Sequence, residues 1–280
     1  MQGKVVVITG ATSGIGQVAA ERLAFVGARM VLIVRDPGRG EATLVRLRER
    51  SPEVVHSIYL ADLSRLAEVK RVAKEIAAAE PRIDVLINNA GALFNNRQVT
   101  EDGLELTFAT NHMSYFVLTA GLRERLLASA PARVINTASA AHKNAKLVWS
   151  DLQSMQGYSG FKVYGRSKLC NILFTRELAH RLSGTRVTAN CLHPGFVASR
   201  FGDLSGGLGA YVVRLAKLMA ISPEKGAETI VYLASSDEMS KTSGGYFYQC
   251  RLTTPAQTAL DGESARKLWE ASARLAGIGE

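Results

Sequence analysis

The chain has 280 residues, 47% of them hydrophobic, and a formal net charge of +9 from 34 basic and 25 acidic side chains. That length and apolar content fit one large domain of layered helices and strands. The basic residues are scattered, with no basic tail and no aromatic residues interleaved along a basic stripe, which argues against a nucleic-acid partner.

Three cysteines (Cys170, Cys191, Cys250) and five histidines occur without CxxC or HExxH spacing, so no metal site is expected. The thiols read as reduced, in a cytoplasmic protein. The opening "MQGKVVVITG" lacks the pattern of a signal peptide, and no uncharged apolar run approaches ~20 residues, so no transmembrane anchor is expected.

In chain order, Lys4–Thr9 is a short β-branched run and predicts a buried strand. Helical periodicity follows from Gly14 to about Gly27, then a strand over Met30–Val34 and a polar helix through Leu44 and Leu47. Val54–Leu60, Ile83–Asn88, Arg133–Thr137, Arg186–Leu192 and Gly245–Tyr248 predict the remaining strands. Helices are expected over Leu66–Ala79, Leu104–Leu127, Tyr164–Leu182, Pro223–Leu233 and Gly262–Leu275. Continuous apolar strands alternating with helices predict an α/β Rossmann fold: a single domain over 1–280, with a doubly wound, seven-stranded parallel sheet covered on both faces.

The first strand runs into "TGATSGIG", Thr9–Gly16. Gly10 can make the tight turn, Gly14 lets the chain approach a pyrophosphate, and Gly16 permits close helix–strand packing. The helix N-terminus offers free N–H groups to the anion. The plainer reading is a glycine turn with no ligand. At the end of the second strand, "VLIVRD" places Val34 where an NAD site expects an acid, and Arg35 next to it can pair with a 2′-phosphate. Asp36 lies 20 residues after Gly16 and would serve NAD if the strand were longer. NADP(H) is favoured over NAD(H). Asp62 and Leu63, after the third strand, read either as an adenine site or, for Asp62, as a helix cap. "NNAG" (Asn88–Gly91) ends the fourth strand. Asn89 can bond to backbone there, while Ala90 and Gly91 leave space beside a flat ligand.

Tyr164 and Lys168 are four apart on a predicted helix and share a face with Asn171 nearby. An ammonium beside a phenol favours the phenolate, so the pair reads as a proton-transfer unit. A surface Tyr/Lys pair is the bland alternative, opposed by the neighbours. Ser139 ends the fifth strand in "INTASAAH", where it can hold a substrate oxygen. Asn111, inside a long helix, reads either as the anchor of a water relaying protons to Lys168 or as a helix-bending amide.

Together "TGATSGIG", "NNAG", the Asn111 helix, Ser139, "YGRSK" and "HPGFVAS" resemble the short-chain dehydrogenase/reductase family along essentially the whole chain. "VLIVRD", "NHMSYF", the insert before Tyr164, "SKLCNILFTRELAHRL" and "GGYFYQC" resemble its retinol dehydrogenase-like branch, which usually prefers NADP. The resemblance implies Ser139, Tyr164 and Lys168 as the active triad, with Asn111 completing a tetrad. It implies Thr9, Gly10, Ser13, Gly14, Ile15 and Gly16 around the cofactor phosphates, Asp62 at the adenine, and Pro194, Gly195, Val197 and Ser199 beside the nicotinamide. The implied activity is hydride transfer between NADP(H) and a lipophilic alcohol, aldehyde or ketone. A homodimer or homotetramer is compatible with it, and an inactive dinucleotide-binding scaffold is the alternative. The hydrophobic N-terminal anchor of membrane-bound relatives is missing from the pattern. Two segments are expected near the substrate: the insert with Leu147, Val148, Trp149, Leu152, Met155 and Tyr158, and a lid at about 199–222 carrying Val212, Val213, Leu215, Leu218 and Met219.

Overall fold

The computed structural model describes residues 1–196 and 221–279. Its strands are β1 (Val5–Thr9), β2 (Arg29–Val34), β3 (Ser57–Leu60), β4 (Val85–Asn88), β5 (Ala132–Thr137), β6 (Val187–His193), β7 (Tyr246–Tyr248) and β8 (Arg251–Leu252). The main helices are α1 (Gly14–Phe25), α2 (Pro37–Arg50), α3 (Leu66–Ala79), α4 (Leu106–Phe108), α5 (Ser114–Ala128), α6 (Gly160–Arg181), α7 (Pro223–Ser235) and α8 (Gly262–Ala276). The strand order is β3-β2-β1-β4-β5-β6-β7-β8. β1 to β7 are parallel, as in a doubly wound Rossmann fold.

Period-two alternation decides which side chain faces which layer. Val5 and Val7 enter a core with α3, α5, α6 and α8, whereas Val6 and Ile8 enter the opposite core with α1, α2 and α7. All five residues of β1 are therefore buried, which is why the strand reads as an uninterrupted apolar run.

Two expectations are corrected. The sheet has eight strands among the described residues, because Arg251–Leu252 turns back antiparallel on β7. These two residues are exposed and too few to show a period. The helix expected over Leu104–Leu127 is not uniform: α4 leads into a π-helical turn, Ala109–Met113, before α5 begins. Asn111 lies inside that turn. A π turn redirects the local backbone hydrogen bonds and is a frequent mark of a functional site.

The chain order reverses between β1 and β4, so the crevice at their carboxyl ends is where a ligand seats in this architecture. The loops after β1, β4, β5 and β6 all open there.

Candidate active site

The glycine loop is tied to the end of β4. Thr9 Oγ1 accepts from the N–H groups of Asn89 (2.9 Å) and Ala90 (3.0 Å), while Asn89 Nδ2 donates to the carbonyls of Thr9 (3.1 Å) and Gly10 (3.3 Å). The buried Thr9 side chain thus braces the loop. Gly10 has φ +70°, and Gly14, at the first turn of α1, has φ +55°. A Cβ on Gly16 would stand 2.3 Å from Gly10 O and 2.4 Å from Asn89 Nδ2. Ser13 is the N-cap residue of α1 but makes no side-chain cap bond, and Ile15 packs against the α1–α2 core. The result is a compact cradle at a helix N-terminus, suited to a pyrophosphate. Gly16→Ala should weaken NADPH binding by about tenfold or more, since overpacking beside a fixed carbonyl costs about 1–3 kcal/mol. Titration by nicotinamide fluorescence on folded protein checks this, and unchanged affinity would mean the phosphates lie elsewhere.

At the end of β2, Asp36 accepts the Arg39 N–H at 2.9 Å as the N-cap of α2. Its carboxylate is engaged in the helix, while Arg35 beside it is exposed. Arg39 was not anticipated from sequence. Its Nη2 lies 3.5 Å from Thr12 O, which brings a second guanidinium to the glycine loop. Its spacing of four from Arg35 was the available signal.

Asp62 does not cap α3. Its Oδ1 accepts from Ser64 N (2.9 Å) and Ser64 Oγ (2.8 Å) in a local turn. The N-cap residue of α3 is Arg65, and Leu66 N bonds to Asp102 instead. Leu63 is buried in the α3-side core.

Ser139, Tyr164 and Lys168 converge where β5 and α6 meet. Ser139 caps a 3-10 turn, Ala140–Asn144, with its Oγ accepting from Ala141 N at 3.2 Å. Its hydroxyl also hydrogen-bonds with Tyr164. Lys168 Nζ donates to Thr137 O at 3.0 Å and lies between two aromatic rings, 5.6 Å from the centroid of Tyr164 and 5.7 Å from that of Tyr115. No carboxylate pairs with it among the described residues.

Burial governs the resting proton affinities of the pair. Burial pushes the Tyr164 hydroxyl up to about 12, opposed only by the Ser139 hydrogen bond. Burial brings Lys168 down to about 7. Burial disfavours the charged form of both groups, so the resting phenol is a proton donor, with Lys168 Nζ 5.6 Å from its ring centroid. At neutral pH the phenol keeps its proton.

Asn111 is fully buried inside the π turn. Its Oδ1 accepts from Ala92 N (2.8 Å), and its Nδ2 donates to Ala92 O (2.9 Å) and Ser167 Oγ (2.9 Å). The amide thereby braces the segment after "NNAG" against α6. It is still close to the lysine: a Cβ on Gly91 would lie 3.2 Å from Lys168 Nζ and 3.4 Å from Asn111 Oδ1.

A further contributor, Tyr115, escaped the sequence reading, and Asn171 takes part as its place on the helix face suggested. Tyr115 donates to Ala90 O at 2.8 Å and walls the lysine. It sits four residues after Asn111, so helical spacing was its signal. Asn171 Nδ2 donates to Thr137 O at 3.2 Å, the same carbonyl that holds Lys168. By contrast Tyr158 bonds to Phe94 O (3.0 Å) and Glu105 Oε1 (3.1 Å), away from the lysine.

Pro194 and Gly195 follow β6 at the same edge. Gly195 has φ +92° and donates to His193 Nδ1 at 3.2 Å. Val197, Ser199 and the lid residues lie outside the described residues, except for Ile221 and Ser222 at its end. Ile221 N bonds to Phe196 O at 2.8 Å, and Ser222 caps α7. The insert mostly packs: Leu147 and Trp149 join the core, and the cavity beneath Leu147, Val148 and Leu152 holds only about 10 Å³. Met155, at 73% exposure, does not.

No helix among the described residues is long and apolar enough to cross a membrane. The profile for short chain dehydrogenase matches residues 4–205. Retinol dehydrogenase 14 of Homo sapiens is 41% identical over 295 residues, covering 99% of this chain and 88% of that one. A solved structure from Mycobacterium Paratuberculosis, of an uncharacterized protein, aligns with TM-score 0.79 at 30% identity, covering 99% of this chain and 94% of that one. The Pseudomonas aeruginosa RhlG/NADP active-site complex aligns with TM-score 0.70 at 27% identity, covering 88% and 94%.

Proposed function

The chain belongs to the short-chain dehydrogenase/reductase family, in its retinol dehydrogenase-like branch, and we propose that it is an NADP(H)-dependent oxidoreductase that reduces a lipophilic, retinoid-like aldehyde or ketone to the alcohol, reversibly. One observation carries the reading: a protonated tyrosine, a serine hydroxyl and a buried lysine meet beside a glycine loop packed too tightly at Gly16 for one added carbon. The name of the human relative supports a lipophilic alcohol or aldehyde as substrate. The NADP complex of the Pseudomonas aeruginosa relative supports the cofactor.

NADPH, when bound, supplies the hydride. Gly10, Ser13, Gly14, Ile15 and Gly16 hold its phosphates with α1 N–H groups, while Thr9 and Asn89 keep that loop in place. Arg35 and Arg39 would pair with a 2′-phosphate, Asp62 and Leu63 would lie on the adenine side, and Ala90 and Gly91 would leave room for a flat ring. By the family resemblance, Pro194, Gly195, Val197 and Ser199 would border the nicotinamide. Ser139 and Tyr164 donate to the substrate oxygen, and Tyr164 delivers its proton as the carbonyl becomes an alkoxide. Lys168 stabilises the phenolate left behind, held in register by Thr137 O. We place the whole chain in one domain, with a substrate lid at about 199–222 and a cytoplasmic location.

The cofactor is tested by replacing Arg35 and Arg39 with serine and titrating NADPH and NADH separately. Loss of two charge-assisted contacts should weaken NADPH by roughly tenfold to a hundredfold and leave NADH nearly unchanged. Tighter NADH than NADPH binding in the parent protein would overturn the assignment and return the ribose to Asp36.

A further inference from the structure

His142 has no role in the proton transfer, yet its imidazole is fully buried and both ring nitrogens are engaged. Nδ1 is 2.6 Å from the carbonyl oxygen of Ser139, and Nε2 accepts the backbone N–H of Ala256 at 3.0 Å. A carbonyl can only accept and an amide N–H can only donate. The partners therefore fix the ring in one state: neutral, with its proton on Nδ1. Burial also holds its pKa below the ordinary value, against the pull of the Ser139 carbonyl.

The ring joins two parts of the chain 114 residues apart. On one side, Ser139 O accepts both the His142 N–H at 3.2 Å and the imidazole. On the other, Ala256 opens a 3-10 turn, Gln257–Ala259, that bonds back to the same 3-10 segment through Thr258 Oγ1 and Ala145 O at 3.5 Å. The Tyr246 ring stands edge-on to the imidazole, with centroids 5.2 Å apart, and closes its flank. Ala256 lies beyond residue 205, where the family match ends.

We propose that His142 is a positioning residue that ties Ser139 to the C-terminal segment, so that this segment helps to set where the serine hydroxyl meets the substrate oxygen. The inference rests on the reading of Ser139 given under Proposed function. A serine at a strand end takes its hydroxyl direction from its own backbone, and the backbone of Ser139 is held at its carbonyl by this ring. A shift of about 1 Å at a reacting group costs on the order of a hundredfold in rate.

Ala256 has φ −60° and ψ 151°, a conformation that proline adopts, so Ala256→Pro deletes the one N–H with the fold retained. Carbonyl reduction by Ala256→Pro should lose roughly tenfold to a hundredfold in kcat, with NADPH affinity and unfolding temperature near the parent values. His142→Asn keeps a donor for Ser139 O and cannot reach Ala256. It should match Ala256→Pro, and combining the two should add little, since both remove one bond. His142→Phe, which loses both bonds, should lose more. Independently of activity, nitrogen-15 spectra of the histidine side chains should show the Nδ1–H tautomer for His142 in the parent protein.

Full kcat in Ala256→Pro, or an Nε2–H tautomer, would overturn the role. A loss that appears only as a lower unfolding temperature would make His142 structural and overturn it as well. If the parent protein neither binds NADPH nor turns over a carbonyl, the functional reading fails instead, and the tautomer measurement still decides the contact.

Discussion

Tyr164→Phe should abolish measurable carbonyl reduction, a loss of about 10²–10⁴ in kcat, while NADPH binds with nearly its original affinity. The substitution removes one oxygen and keeps the ring. The ring is what Lys168 touches, with Nζ 5.6 Å from its centroid, so the lysine keeps its seat. The hydroxyl alone carries the proton, and burial has raised it to about 12, so near neutrality it is a loaded acid. Ser139 cannot replace it. A serine hydroxyl is a far weaker acid than a phenol. Steady-state rates with a lipophilic aldehyde, beside an NADPH titration of the same preparation, give both readouts. Turnover surviving in Tyr164→Phe would mean that another group delivers the proton. Failure of both proteins to turn over, with NADPH bound, would favour an inactive dinucleotide-binding scaffold.

The central strands were legible because their positions are buried on both faces, leaving continuous apolar runs such as Val5–Thr9, whereas the exposed β8 was not. The glycine loop was legible because Gly10 and Gly16 answer a local steric demand that their spacing exposes. Properties set by distant packing were not legible. Spacing places Tyr164 and Lys168 side by side but says nothing of how much water α6, β5 and Tyr115 exclude, and that exclusion sets both proton affinities. The π turn at Ala109–Met113 likewise has no period of its own; it becomes visible only where Asn111 bonds to Ala92 and Ser167. Asp36 and Asp62 show the same limit. Each carries a carboxylate at a plausible ribose or adenine position, and local backbone geometry decides which atoms are engaged.

Lys168→Met should cost about 10² or more in turnover and yet make the protein more stable. The ammonium is 2% exposed, has no carboxylate partner among the described residues, and has been brought from 10.5 to about 7 by burial alone. A group whose folded pKa is depressed stabilises least in acid. The unfolded chain holds the proton up to pH about 10.5, while the folded chain releases it above about 7. The destabilisation is therefore absent above pH 10.5, grows as pH falls between these values, and is complete below about 7. Methionine fills a similar volume without charge. Thr137 O does not become orphaned when the lysine goes, because Asn171 still donates to it at 3.2 Å. The melting temperature of Lys168→Met should exceed that of the parent at pH 6 by on the order of 3 °C or more, with the difference shrinking by pH 10. A variant less stable than the parent at pH 6 would show that Thr137 O and the two rings compensate the buried charge in full. The expected result has a single physical reading: the fold tolerates a buried, unpaired ammonium because the alkoxide chemistry beside Ser139 and Tyr164 needs a positive charge there, and stability and turnover draw on that charge with opposite signs.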